Sequence, residues 1–315
     1  MDSKENFPSS NPLSTSTHFP QCGCNKSRSG SKLHPCPETL RESCRKGQKW
    51  LKLVRLPQDP KSSYHKLLTL SCNEPTNTQL ALDISRTYSQ VDYFSNGPGR
   101  QSIIRLIRAF CIYNPSLGYV QGMNYIIASL LWHTNEIDAF WLFVILIEDY
   151  ELRDNFIPTF PGLKKHSHII DFLINHHIPQ LYAHFLNLNI SIEIFATDWF
   201  LTLFTSTMPI QFSGEIFKYF FTQGWAFFYK LCLEIIIRLS DKLLSANTFA
   251  QVLSYIKPHG NSLKHWKSFI GTLEKGRDKG DWKKIIKAAS VLDINERFLH
   301  CLSHNANNFI LASDD

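Results

Sequence analysis

Two short stretches carry residue types that can act on an anion. In the first, Asp83 and Arg86 stand three residues apart, one turn on a helix, so the carboxylate can hold the guanidinium in a chosen rotamer. Arginine is always charged and offers a planar fork of donors that fits phosphate oxygens. Taken alone, the pair reads equally as a surface ion pair of small worth. The second stretch, Asn114 to Asn124, sets polar residues between Gly118 and Gly122 ahead of the apolar run Met123 to Trp132. That run is long enough for about three helical turns. It places Gln121 at the helix start, where backbone N–H groups favour an anionic partner. Gly122 has no side chain to keep another backbone or a phosphate away, and Gly118 marks the turn before it. Taken alone, this stretch is better explained as a helix N-terminus that Gln121 caps.

The two stretches together, in this order and separated by a helix-length segment, resemble the signature motifs of the TBC domain, the helical module of Rab GTPase-activating proteins. The first motif, Ile-x-x-Asp-x-x-Arg-Thr, is met with Leu80 in place of Ile and with Asp83, Arg86 and Thr87 as expected. The second, Tyr-x-Gln-Gly-Met-Asn, is met without substitution by Tyr119, Gln121, Gly122, Met123 and Asn124. The resemblance runs from about Pro37 to Leu244. It includes Trp50 on an opening helix, with Lys46 where the family usually has Arg, and the block Thr197-Asp198-Trp199-Phe200 that closes at Met208-Pro209. Two departures stand out. Ser89 replaces a Pro that usually follows the Arg-Thr, which leaves the loop there less constrained, and Glu215-Ile216-Phe217-Lys218 replaces Arg-Ile-Trp-Asp. The second removes an Arg and an Asp and bears on packing rather than on the catalytic surface.

The resemblance implies an all-α, multi-helix TBC fold with two helical lobes behind a disordered leader. It also implies that Arg86 and Gln121 are catalytic residues supplied in trans to a GTP-bound Rab-family GTPase. Arg86 would neutralise charge building on the phosphates, and Gln121 would align the attacking water in place of the GTPase's own glutamine. Asp83, Thr87, Tyr119, Gly122, Met123 and Asn124 would shape the two loops and support GTPase binding. GTP and Mg2+ belong to the partner. The chain is then an activator rather than an enzyme, has no cofactor or metal of its own, and regulates vesicle traffic. In keeping with that, it carries no G-x-x-x-x-G-K-[ST] phosphate loop.

Composition sets the frame for these motifs. Hydrophobic residues make up 43% of 315 positions and aromatics 13%, enough for one large helical domain or two smaller ones. Residues 1–35, rich in Ser, Pro and Asn, form the expected disordered leader. Residues 36–246 form the TBC core, and 247–315 a basic helical extension packed on it. The longest apolar stretches, Tyr125 to Trp132 and Ala139 to Ile147, fall short of the roughly 18 residues of a spanning helix. The polar N-terminus lacks the apolar core of a secretory signal. We therefore expect a cytoplasmic protein, with peripheral contact to endomembranes left open. Eight cysteines then read as free thiols, and Cys22, Cys24, Cys36 and Cys44 lack the paired spacing of zinc ligands.

Along the chain, Pro57 to Lys66 reads as a polar connection and Leu80 to Tyr88 as a short helix. Ile103, Ile107, Phe110 and Cys111 recur at helical spacing, with Arg100, Arg105 and Arg108 on a solvated face. Asn135 and Asp138 resemble a helix cap. Arg153 to Gly162 reads as a loop. His166, His168, His176, His177 and His184 read as helix-surface histidines rather than metal ligands. Gly224 precedes a long helix, and the lysines beyond Asn247 favour a solvated face over nucleic acid or lipid. Two other functions compete with GTPase activation: a TBC-like effector or scaffold that binds a GTPase without chemistry, and a basic helical adaptor for membrane or nucleic acid.

Overall fold

The computed structural model describes residues 46–70, 77–257, 263–273, 282–295, 297–299, 301–302 and 306. The leader and its cysteines lie outside them. Every regular element among the described residues is a helix. After a helical turn at 46–50 come α1 (Pro60–Thr69), α2 (Asn77–Arg86), α3 (Asp92–Ser95), α4 (Pro98–Tyr113), α5 (Met123–His133) and α6 (Glu136–Glu148). A 3-10 turn (Leu152–Asn155) leads to α7 (Pro161–His177), α8 (Pro179–Asn187), α9 (Glu193–Thr202) and α10 (Ile210–Ser245). Last come α11 (Phe249–Ile256), α12 (Leu263–Thr272) and α13 (Trp282–Ser290).

The most apolar segments become the centre. Nearly every side chain of α5 and α6 is buried, as a helix that is hydrophobic all round requires. Asn135 starts α6 as expected, its side-chain oxygen accepting the Asp138 N–H at 2.9 Å. The predicted face of α4, Ile103, Ile107, Phe110 and Cys111, is buried against these two helices. Helices α7, α8 and α9 pack together as a second group, and α10 touches both groups through α5, α7 and α8. Trp50 is buried against His133 of α5 and Phe217 and Phe221 of α10. Helix α10 is long and apolar enough to cross a membrane, but 67% of its most apolar window is buried within the fold, which accounts for its composition. Gly224 breaks its helical path at φ 58°, ψ −144°. The break is held from both sides: Trp225 Nε1 donates to the Tyr150 carbonyl at 2.7 Å, and Tyr150 OH donates to the Phe221 carbonyl at 2.8 Å.

Several expectations are corrected. The Pro57 to Lys66 connection is largely α1, started by Asp59, which accepts the Ser62 N–H at 3.0 Å, and by Pro60 in the first turn. It is held by Tyr64, which donates to buried Glu136 at 2.7 Å. Arg105 is only partly solvated, with its side chain 38% exposed. It grips the same Glu136 through Nε at 2.8 Å and Nη2 at 2.6 Å, a two-point pairing that a buried carboxylate requires. The Arg153 to Gly162 loop contains part of the 3-10 turn and the start of α7. In α13, Trp282, Ile285, Ile286 and Ala289 are buried against α10, while Lys283, Lys284 and Lys287 are exposed.

His166 is also corrected. It is 1% exposed, stacked on Phe200, packed at a tilt against Trp225, and shares a 2.8 Å hydrogen bond between Nδ1 and Tyr229 OH. Burial first, then the neighbouring Lys165 charge, holds its pKa well below the usual 6.5. The folded state thus keeps His166 neutral where an unfolded chain would protonate it. Stability from this group is whole above the unfolded pKa of 6.5 and falls as the pH drops below it. Urea unfolding should show the wild type losing up to about 1.4 kcal/mol per pH unit below that point beyond any loss in His166→Phe. Parallel pH profiles for the two proteins would refute this account.

Candidate functional site

The two sequence stretches meet. Asp83 near the end of α2 has no solvent exposure, and its Oδ1 accepts from Arg86 Nη2 one turn later. Its Oδ2 accepts the Tyr119 hydroxyl at 2.7 Å, so one carboxylate joins α2 to the loop before α5. A second link runs through Asn124. Its Nδ2 donates to Thr87 Oγ1 at 2.7 Å, and that hydroxyl donates to the Asp83 carbonyl at 2.6 Å. Its Oδ1 accepts the Gly122 N–H at 3.1 Å. Asn124 therefore closes the start of α5, and Gln121 does not cap it. Gly122 sits at φ 105°, where any side chain adds backbone strain. Met123 is buried, with its Sδ accepting the Val120 N–H at 3.3 Å.

This buried layer presents two side chains outward. Arg86 has a side chain 50% exposed, and Gln121 is exposed. Both line one open groove of about 440 Å³, together with Gly122, Tyr125, Phe160, Asp198, Leu201, Thr202 and Ser206. Tyr125 OH also donates to the Arg86 carbonyl at 3.3 Å. Burial, and then its hydrogen bond to Asp83, pushes the Tyr119 phenol far above its ordinary range, so it stays a donor. Among the described residues no group of three or more His, Cys, Asp and Glu could hold a metal.

Sequence reasoning missed Tyr88 and the groove lining contributed by Phe160 and α9. Tyr88 is fully buried at φ 45°, a conformation that a bulky residue adopts only when its surroundings enforce it. Its hydroxyl donates to the Thr205 carbonyl and meets Ser129 Oγ at 2.9 Å. That anchor fixes the chain just after Arg86-Thr87, where Ser89 leaves the sequence less constrained. Asp198 was legible only as a neighbour of core Trp199. Phe160, between Pro158 and Pro161, gave no signal beyond a loop.

The sequence profile of the Rab-GTPase-TBC domain matches residues 43–244. The chain belongs to this family. Curated relatives of this TBC domain include Rab GTPase-activating protein eat-17 of Caenorhabditis elegans, 34% identical over 163 residues, which are 51% of this chain and 18% of that protein. The ecotropic viral integration site 5 protein homolog of Homo sapiens is 31% identical over 189 residues, 59% of this chain and 22% of that protein. The chain thus spans about a fifth of the length of these relatives. Among solved structures, the Chlamydomonas flagellar RabGAP TBC domain superposes with a TM-score of 0.56 at 20% identity, covering 80% of this chain and 78% of that one. The Ypt/Rab-GAP domain of Gyp1p gives 0.53 at 17% identity, covering 79% of each. These two establish a shared TBC fold. Helices α11 to α13 lie beyond the span that the family profile matches.

Within the TBC site, Asn124 carries the heaviest internal load. Asn124→Ala removes both halves of its amide and leaves the Gly122 N–H without that partner, which should cost about 1–3 kcal/mol in urea unfolding. A loss below a few tenths would mean the buried link does not hold the two stretches together.

Proposed function

We propose that this chain accelerates GTP hydrolysis on a Rab-family GTPase in its GTP form. Arg86 enters in trans to offset charge developing on the transferred phosphoryl group. Gln121 orients the attacking water, since its carbonyl can accept a water hydrogen while its amide donates toward phosphate oxygens. GTP and Mg2+ come with the partner, and the chain works in the cytoplasm where that partner meets membranes. The observation that carries this reading is the placement of Arg86 and Gln121 on one groove, each exposed and each backed by the same buried network. A guanidinium already paired to Asp83 loses less side-chain freedom on docking than a free one.

The test is single-turnover hydrolysis by a panel of GTP-loaded Rab proteins with wild type, Arg86→Ala and Gln121→Ala. Wild type should accelerate at least one Rab strongly. Arg86→Ala should lose most of a gain of about 10³ to 10⁵, with Gln121→Ala also severely impaired and GTPase binding retained in both. Binding of a GTP-loaded Rab without acceleration would instead identify an effector.

A further inference from the structure

The groove holds a second charged side chain that the finger mechanism does not use. Asp198 on α9 lines the same groove as Arg86 and Gln121, with its side chain 48% exposed. Its Oδ2 accepts from Lys257 Nζ at 2.8 Å. Lys257 ends α11, outside residues 43–244 that the family profile matches. A residue of the C-terminal extension therefore reaches a wall of the catalytic groove.

Electrostatics gives this contact a consequence. The groove must admit phosphate oxygens, and the charge of Arg86 is already partly offset by Asp83. A bare carboxylate in the same groove would repel the incoming anion, and more strongly as docking excludes water. Docking would also strip water from Asp198, which is unfavourable for a carboxylate without a partner. Lys257 answers both problems at once.

We propose that Lys257 is a positioning residue for GTPase activation: it holds Asp198 as a neutralised pair, so that the groove can accept the nucleotide-bearing face of the partner. This rests on the reading that the groove receives a GTP-loaded Rab. The extension is then part of the activating surface.

The experiment takes the Rab that responds best to wild type and follows hydrolysis against activator concentration, at low and high salt. Lys257→Ala should raise the half-saturating concentration by about five- to tenfold with little change in maximal rate, and high salt should shrink the difference. Asp198→Asn should lower the half-saturating concentration, because it removes the groove's carboxylate while Lys257 keeps its charge. The double variant Asp198→Asn/Lys257→Ala should return to within about twofold of wild type, because no bare carboxylate remains. Lys257→Gln, which keeps most of the stem, repeats the measurement if the alanine variant melts early. Lys257 variants indistinguishable from wild type overturn the proposal. So does a double variant as impaired as Lys257→Ala, which would assign Lys257 a packing role. If wild type accelerates no Rab at all, the reading of the groove falls, and this inference falls with it.

Discussion

A carboxylate with no exposure cannot remain charged inside a protein unless its oxygens are engaged. Asp83 meets that demand with Arg86 on one oxygen and Tyr119 on the other, and the rest of the site follows from it. The arginine is held near its own helix, half exposed and lining the groove. The tyrosine fixes the loop that delivers Gln121. Asn124 and Thr87 repeat the same link a few ångströms along the chain. Long, rotamer-rich arginine side chains cost up to about 2 kcal/mol to immobilise. Here much of that cost is met on folding, so the polar network behind the groove is a pre-organising device as well as a structural one.

The backbone around the groove carries a matching constraint. Tyr88, Gly122, Phe160, Leu203 and Phe204 all have positive φ, and they sit in or next to the segments that line the groove. Non-glycine residues persist in such conformations only where packing over-determines them. Tyr88, Leu203 and Phe204 are buried, and Trp199 and Phe228 pack on Phe204. Phe160 is the exception, at 43% exposed.

How much of this was legible in the sequence depended on distance along the chain. Asp83 with Arg86, and Gln121 with Gly122, are local patterns, and a helical reading of each already placed an outward polar group. The link between them was carried by the family resemblance, because nothing in spacing reveals that Tyr119 and Asp83 meet. Helix α1 was hidden by low apolar content, since one tyrosine and a cap suffice when Glu136, 72 residues on, supplies the anchor. Arg105 and His166 were misread for the same reason. A polar residue on a helix looks solvated until the partner that justifies its burial is brought alongside by the fold. Asp198 and Phe160 belong to the groove only through tertiary packing, so no local pattern could have marked them.

The departure at Glu215 to Lys218 illustrates how such partners shift without being lost. The acid usual at the fourth position of that block is missing, and this chain carries one at the first position, a turn earlier on the same face of α10. Lys46 meets it there at 2.9 Å. In this chain the altered block thus carries an ion pair of its own. Gly214 explains why the basic partner can come so near: a Cβ there would stand 2.8 Å from the His133 ring and 3.1 Å from Lys46 Cδ. The close approach of three segments, 46–50, the end of α5 and the start of α10, fixes where charge can sit. Within that space Glu215 neutralises Lys46, whose side chain is largely buried, because a cation there needs a carboxylate alongside it.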